Sequence, residues 1–239
     1  MTEVAKFPRI PHLPWSPGDA REDKKLDDVS GFLGVEVVVT EKMDGSNVCL
    51  TPNTVFARSH SGPPVHPSFD WLKAWHASMK GAIPEYLSVF CEYTYAVHSI
   101  EYEAVPSYLW VIAVRDERRG YWLDWHSTRW MADTKLGLPT VPVIGYGPFQ
   151  REDELHGYTN FVAAQPGFFG AREGVVIRRM AVILENGFNY QVAKWVREGH
   201  VTSEEHWMNQ PIRKQKLLGG ERDAKTQTGA EVAQGTNLG

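Results

Sequence analysis

The amino-acid sequence predicts an α+β fold built from antiparallel sheets, and three observations carry that prediction. Its apolar runs are short and β-branched, as in Val35-Glu36-Val37-Val38-Val39. Amphipathic helical stretches are few and scattered among these runs, where a parallel sheet would need a helix after nearly every strand. The 239 residues are 42% hydrophobic and 12% aromatic, enough to bury a sizeable core as one large domain or two small ones.

Residues 1–30 carry Pro8, Pro11, Pro14 and Pro17 and then the charged run Arg21-Glu22-Asp23-Lys24-Lys25. That composition predicts an extended arm packed by Phe7, Leu13 and Trp15, with no regular element. Strands are expected at 35–39, 47–50, 55–57, 87–91 and 109–114. Between the third and fourth, residues 68–81 place Trp71, Leu72, Trp75 and Met79 on one helical face, with Ser68 as cap and Gly81 as stop. The two tryptophans read as packing residues. A second helix is expected at about 127–136, after which the chain returns to strands as far as Val196. Residues 209–239 are polar, Gly-rich and free of aromatics, which predicts a short helix at about 212–218 and then a disordered tail. The sequence contains no internal repeat.

A net charge of −4 gives no global attraction for a polyanion, so any nucleic-acid contact has to come from a local basic face. Cys49 and Cys91 each lie in an apolar strand-like segment and are expected as buried free thiols. No apolar run reaches membrane-spanning length and Met1-Thr2-Glu3 opens no signal peptide, so a soluble, cytoplasmic, reducing location is expected. There is no Gly-x-x-x-x-Gly-Lys-Ser/Thr loop, and Gly145-Tyr146-Gly147 lacks the third glycine of a dinucleotide fingerprint. Nine histidines without a Cys-x-x-Cys partner make no zinc site; His200 and His206 read as solvent-facing or RNA-contacting.

The most informative stretch is Lys42-Met43-Asp44-Gly45, at the end of the first apolar run. Asp44-Gly45 alone is an ordinary hairpin signal. Specificity comes from the order of the downstream segments: Arg58-Ser59 after a short strand, Phe90-Cys91-Glu92-Tyr93, the stretch Tyr95-Ala96-Val97-His98-Ser99-Ile100-Glu101-Tyr102, Glu173-Gly174-Val175-Val176-Ile177-Arg178, and Ala193-Lys194-Trp195-Val196-Arg197. With these segments the sequence resembles the covalent nucleotidyltransferase superfamily of polynucleotide ligases and mRNA capping enzymes. It is most similar to the ATP-dependent RNA ligases of the phage and RNA-editing type, from about residue 35 to residue 207.

The resemblance implies a nucleotidyltransferase domain over 1–208, arm included, with no OB-fold. It implies that Lys42 takes AMP from ATP with Mg²⁺ or Mn²⁺, that AMP passes to an RNA 5′-phosphate, and that a 3′-hydroxyl then seals the ends. The catalytic set would be Lys42, Asp44, Glu173 and Lys194, and nucleotide contacts would come from Glu41, Lys42, Asn47, Arg58, Glu92, Ile112, Glu173 and Lys194. Glu92 would hold the ribose, Ile112 or Trp110 would cover the base, Asn47 would orient the phosphates and Lys194 would contact the α-phosphate. Glu173, with Glu92, would hold the metal partly through water. Arg58 or His60 would be the basic residue after the second strand, Arg58 being better suited to a bidentate phosphate grip. A lysine amine is protonated at neutral pH; burial behind a strand, Lys194 and the metal would lower the pKa of Lys42. Two positions depart from the pattern: Val192 stands where a basic residue is usual, and Cys91 where glycine is common. RNA ends would be the partners of a monomer that engages no membrane, with an accessory protein or domain compatible. The alternatives are a DNA ligase, a GTP-dependent capping enzyme and a noncatalytic nucleic-acid end-binding module. The first two normally carry an OB-fold after the last motif, and 198–239 is too short and polar for one.

Overall fold

The computed structural model describes residues 4–18, 23–79, 81–199 and 211–220. His200, His206 and the tail beyond 220 lie outside them. Two antiparallel sheets face each other. One is built from β1 (Val37–Lys42), β7 (Val143–Tyr146), β8 (Gly174–Arg179) and β10 (Val192–Val196) in the order β10-β8-β1-β7. The other contains β2 (Ser46–Leu50), β3 (Val55–Ala57), β4 (Leu87–Tyr93), β5 (Leu109–Asp116), β6 (Tyr121–Trp122) and β9 (Ile183–Leu184) in the order β3-β2-β4-β5-β6-β9. The strands expected from the sequence are all present, four of them within two residues and β1 running on to Lys42, three residues past its expected end.

Side chains alternate across each strand, and that alternation decides what faces the space between the sheets. On β1, Val37 and Val39 join the outer core while Val38 points inward. On β4, Val89, Cys91 and Tyr93 pack outward against α1 (Asp70–Ser78), while Phe90 turns inward, and Glu92 shares its parity. On β10, Ala193 and Trp195 pack outward, leaving Val192 and Lys194 on the inner face.

α1 begins after a single 3-10 turn, Pro67–Phe69, in which His66 Nδ1 accepts the Ser68 N–H; the cap is therefore His66, not Ser68. Trp75 is fully buried, and Trp71 stacks on Tyr93 and meets Tyr108 edge-on, which is the packing role expected of both. Helix α2 (Trp125–Trp130) runs on as a π-helical turn, Met131–Leu136, and ends at Gly137 with φ 59°. Helix α3 (Glu152–Ala163) stands in a region expected from the sequence to be strand. Its signature is three acids in the first turn, which suit the positive end of the helix dipole, and buried Leu155, Thr159 and Val162 at helical spacing. A short α4 (Phe188–Gln191) leads into β10.

The N-terminal arm is extended, as its prolines dictate, and lies along the free edge of β10. Lys194 N–H donates to Pro11 O at 2.9 Å, Leu13 N–H to Lys194 O at 2.7 Å and Gly18 N–H to Val196 O at 2.8 Å. Phe7 inserts between Phe90, Trp122 and Phe188, with ring centroids 5.4–5.6 Å apart. Residues 211–220 run extended, without the helix expected at 212–218. Their backbone pairs with 95–105 through Val97 N–H to Arg213 O and Val105 N–H to Lys216 O, which leaves no i→i−4 ladder to form.

Trp75→Ala should cost about 3–5 kcal/mol in urea unfolding, the range for truncating a fully buried aromatic. Trp71→Ala, at a half-buried position, should cost clearly less.

Candidate active site

Lys42 is the last residue of β1, and the chain then turns tightly into β2. Gly45 makes that turn possible, because a Cβ there would lie 2.6 Å from Tyr93 O. Asp44 holds the turn. Its Oδ2 accepts the N–H groups of Ser99 and Ile100, both at 2.7 Å, and its own N–H donates to Tyr102 Oη at 2.7 Å. The carboxylate expected among the catalytic groups is thus engaged with backbone, fixing the lysine two residues before it.

Lys42 Nζ lies 2.7 Å from Glu173 Oε2, whose side chain is 4% exposed. Burial pulls the Lys42 amine towards neutrality, but Glu173, Glu92 and Asp44 outweigh it and raise its pKa above the ordinary lysine value. This corrects the expectation from sequence. Strand burial and Lys194 do not dominate in the nucleotide-free protein, because three carboxylates face the amine. Glu92 bears the excess negative charge. Burial above all, reinforced by Glu173 and Asp44 and opposed by Lys42, pushes its carboxyl up to about 7.

Lys42 and Glu92 border a cavity of about 650 Å³ between the sheets, with Glu173 behind the Lys42 amine. Asn47 sits across from Glu92 in the β2/β4 ladder, and its buried Oδ1 has no hydrogen-bond partner among the described residues. Arg58 lines the rim, whereas His60 stacks on Phe56. Ile112 forms part of the wall; Trp110 is buried against Phe169 with its indole N–H on Thr94 Oγ1, so only Ile112 is placed to cover a base. Glu41 borders the cavity, but its carboxylate accepts the Phe168 N–H at 2.9 Å and lies 3.4 Å from Arg172 Nη2. Glu41 Oε2 therefore holds the 167–172 turn, while its buried Oε1 has no hydrogen-bond partner among the described residues.

Lys194 reaches the same cavity from β10 and is paired with Asp23 at 2.5 Å. Burial, with Lys42 close by, lowers its pKa against the pull of Asp23. Val192 shares this face and is 4% exposed, packed with Phe90, Trp122 and Phe188. Val192 thus presents an apolar side chain to the cavity at the position where a basic residue is usual.

Three cavity residues are not singled out by the sequence. Asp23 lies 171 residues from its partner, a separation that carries no local signal. His98 approaches Ser46 Oγ at 3.4 Å. Arg178 is buried, donates to Leu123 O at 2.9 Å, lies over the Trp125 ring and has its pKa lowered to about 10 by burial. Period-2 counting from Gly174 would have placed it in the cavity.

Cationic Lys42, Lys194, Arg58 and Arg178, apolar Ile112 and Val176, and the unmet acceptor of Asn47 fit a nucleotide. Among the described residues no group of three or more His, Cys, Asp or Glu is arranged to hold a metal ion. Glu173 and Glu92 fit a cation that takes its remaining ligands from phosphate and water.

Residues 35–196 match the family model described as RNA ligase. The chain belongs to the RNA ligase family. Its fold is similar to the RNA ligase of Naegleria gruberi with PPi, at TM-score 0.59 and 16% identity over 81% of this chain and 56% of that one. An archaeal ATP-dependent RNA ligase superposes at TM-score 0.53 and 18% identity over 81% and 48%. A variant of the Naegleria enzyme with AMP and Mn gives 0.55 and 13% over 81% and 56%. This RNA ligase family member thus spans about half the length of the solved ligases it matches. No curated protein matches it in sequence. The antiparallel α+β fold expected from the sequence is the fold these ligases share.

Because the folded Glu92 carboxyl keeps its proton to higher pH than an unfolded one, its ionisation weakens the fold as pH rises from about 4.5 to about 7. Glu92→Gln should therefore be more stable than wild type by about 1–3 kcal/mol at about pH 8, with the gap closing by about pH 4.5 in urea titrations. A gap independent of pH would contradict this placement.

Proposed function

We propose that this protein is an ATP-dependent RNA ligase that works through a lysyl-AMP at Lys42. The observation that carries the reading is the convergence of Lys42, Glu92 and Lys194, from three distant segments, on one cavity between the sheets, with Glu173 from a fourth paired to the Lys42 amine. The Lys42 ammonium first loses a proton to water, and the neutral amine then attacks the α-phosphorus of ATP. An N–P bond forms and pyrophosphate leaves. Ile112 and Val176 bracket the base, Glu92 and Asn47 meet the ribose and phosphates, and Lys194 exchanges Asp23 for the α-phosphate, countering charge in the transition state. Glu173 and Glu92 would hold a divalent cation, which supplies charge neutralisation at the phosphates when bound. The AMP then moves to an RNA 5′-phosphate, and a 3′-hydroxyl displaces it.

The described residues contain no helix long and apolar enough to cross a membrane. We place the chain in a reducing cytoplasm as a monomer, a reading supported by two buried, free cysteines.

With ATP and Mn²⁺, peptide mass spectrometry should find one AMP on the Lys42 peptide and none in Lys42→Ala. Glu173→Ala and Lys194→Ala should fold yet lose about two orders of magnitude in adduct formation, the scale for removing a preorganised charge contact. An adduct that persists in Lys42→Ala would reassign the nucleophile.

Sealing should require RNA at the 3′-hydroxyl end, since the 2′-hydroxyl is what a protein reads to tell RNA from DNA, and should fall steeply as salt rises. Matched nicked duplexes and single strands with RNA or DNA on each side test this. Equal sealing of an all-DNA nick would make the protein a DNA ligase, and adenylation with no sealing at all would favour an end-binding module.

A further inference from the structure

We infer that Gln215, far outside the motifs, is a positioning residue for Lys42, acting through the loop 95–102; the inference rests on the ligase reading. Gln215 is 2% exposed, although it lies in a segment otherwise polar and open. Its side-chain amide is satisfied at both ends: Oε1 accepts the Tyr102 N–H at 2.9 Å and Nε2 donates to Ile100 O at 2.7 Å. Its backbone is engaged too, with N–H on Tyr95 O at 2.9 Å and C=O accepting from Tyr108 Oη at 3.2 Å.

The same two loop residues hold Asp44 from the other side. Ile100 gives its N–H to Asp44 Oδ2, and its C=O accepts from Gln215. Tyr102 gives its N–H to Gln215, and its hydroxyl oxygen accepts the Asp44 N–H. Gln215, the loop and the Asp44 turn thus form a series of hydrogen bonds ending two residues from the Lys42 amine. The loop forms no helix or strand of its own. Much of its backbone pairing comes from 211–220, through Arg213 O, Gln215 and Lys216 O. Without the Gln215 amide, a buried N–H and a buried C=O lose their partners together, and the loop shifts to recover water. Asp44 shifts with it. Lys42 then misses its attack line on the α-phosphorus, while the nucleotide-binding walls on β5, β8 and β10 stay where they are.

The test is single-turnover formation of the Lys42 adduct by the full chain, using Gln215→Met, which keeps the side-chain volume and removes both amide hydrogen bonds. The expected result is a loss of about 10²-fold in rate constant, the scale of a misplacement of about 1 Å, with the ATP concentration for half-maximal rate changed less than about threefold. Tyr102→Phe, which breaks the series one step later, should be similarly slow. Because the two act in series, the double variant should be no slower than the slower single variant. A wild-type rate in Gln215→Met, a loss expressed mainly in ATP concentration dependence, or multiplicative losses in the double variant would each overturn the inference. Should Gln215→Met fail to fold, Tyr102→Phe decides alone, a wild-type rate again overturning it. A wild-type protein that forms no adduct would instead remove the ligase reading beneath it.

Discussion

An amine cannot be held in a cleft between two sheets without countercharge, and the arrangement around Lys42 reflects that constraint. Burial alone would leave the lysine neutral, and one acid would balance it. The cavity supplies three, each held by a different part of the chain: Glu173 at the start of β8, Glu92 inside β4 and Asp44 on the turn itself. Three carboxylates around one ammonium are too many for a desolvated site. Glu92, whose burial outweighs the pull of Lys42, yields by keeping its proton to about neutral pH. Phosphates and a cation bound here would have to displace the internal partners of the Lys42 amine.

β8 is the axis on which the cavity is registered. Lys42 stands opposite Gly174, Lys194 opposite Val176, and Val192 opposite Arg178. Successive inward positions therefore step from the reactive amine along the wall to the buried guanidinium. Gly174 is required by its neighbour, since a Cβ there would lie 2.0 Å from Trp195 O. The glycine after Glu173 thus lets β10 approach closely enough to bring Lys194 to the same cavity.

What the sequence reveals, and what it withholds, divides along physical lines. Local patterns are legible: β-branched runs give the strands, helical spacing gives α1, and prolines give an arm without regular structure. Helix α3 is hard to see because Gly157 and the aromatics Tyr158 and Phe161 obscure a face carried by only Leu155, Thr159 and Val162. Glu41, Lys42, Asn47, Arg58, Glu92, Ile112 and Lys194 all line one cavity, but partnerships between distant segments are invisible in the sequence. Nothing in the run at Asp23 announces Lys194, and nothing in Thr40-Glu41-Lys42 reveals that the Glu41 carboxylate turns to Arg172. The extended course of 211–220 is hidden for the same reason: a short apolar pattern suggests a helix, while the partner that makes it extended lies more than a hundred residues earlier.

The arm has a consequence beyond closing the cavity. β10 is the last strand of its sheet, and without residues 11–18 it would present a row of open backbone groups beside Lys194 to any passing extended chain. The arm occupies that row and carries Pro11, Pro14 and Pro17, which have no N–H to offer a further strand. On its other side the arm is covered in turn, His12 exchanging backbone hydrogen bonds with Lys24 and Leu26, so the edge beside Lys194 is closed by two successive segments. The strand that supplies Lys194 is an interior strand by virtue of a segment that is not itself a strand, and a change to the N-terminus would be felt as self-association as well as in nucleotide handling.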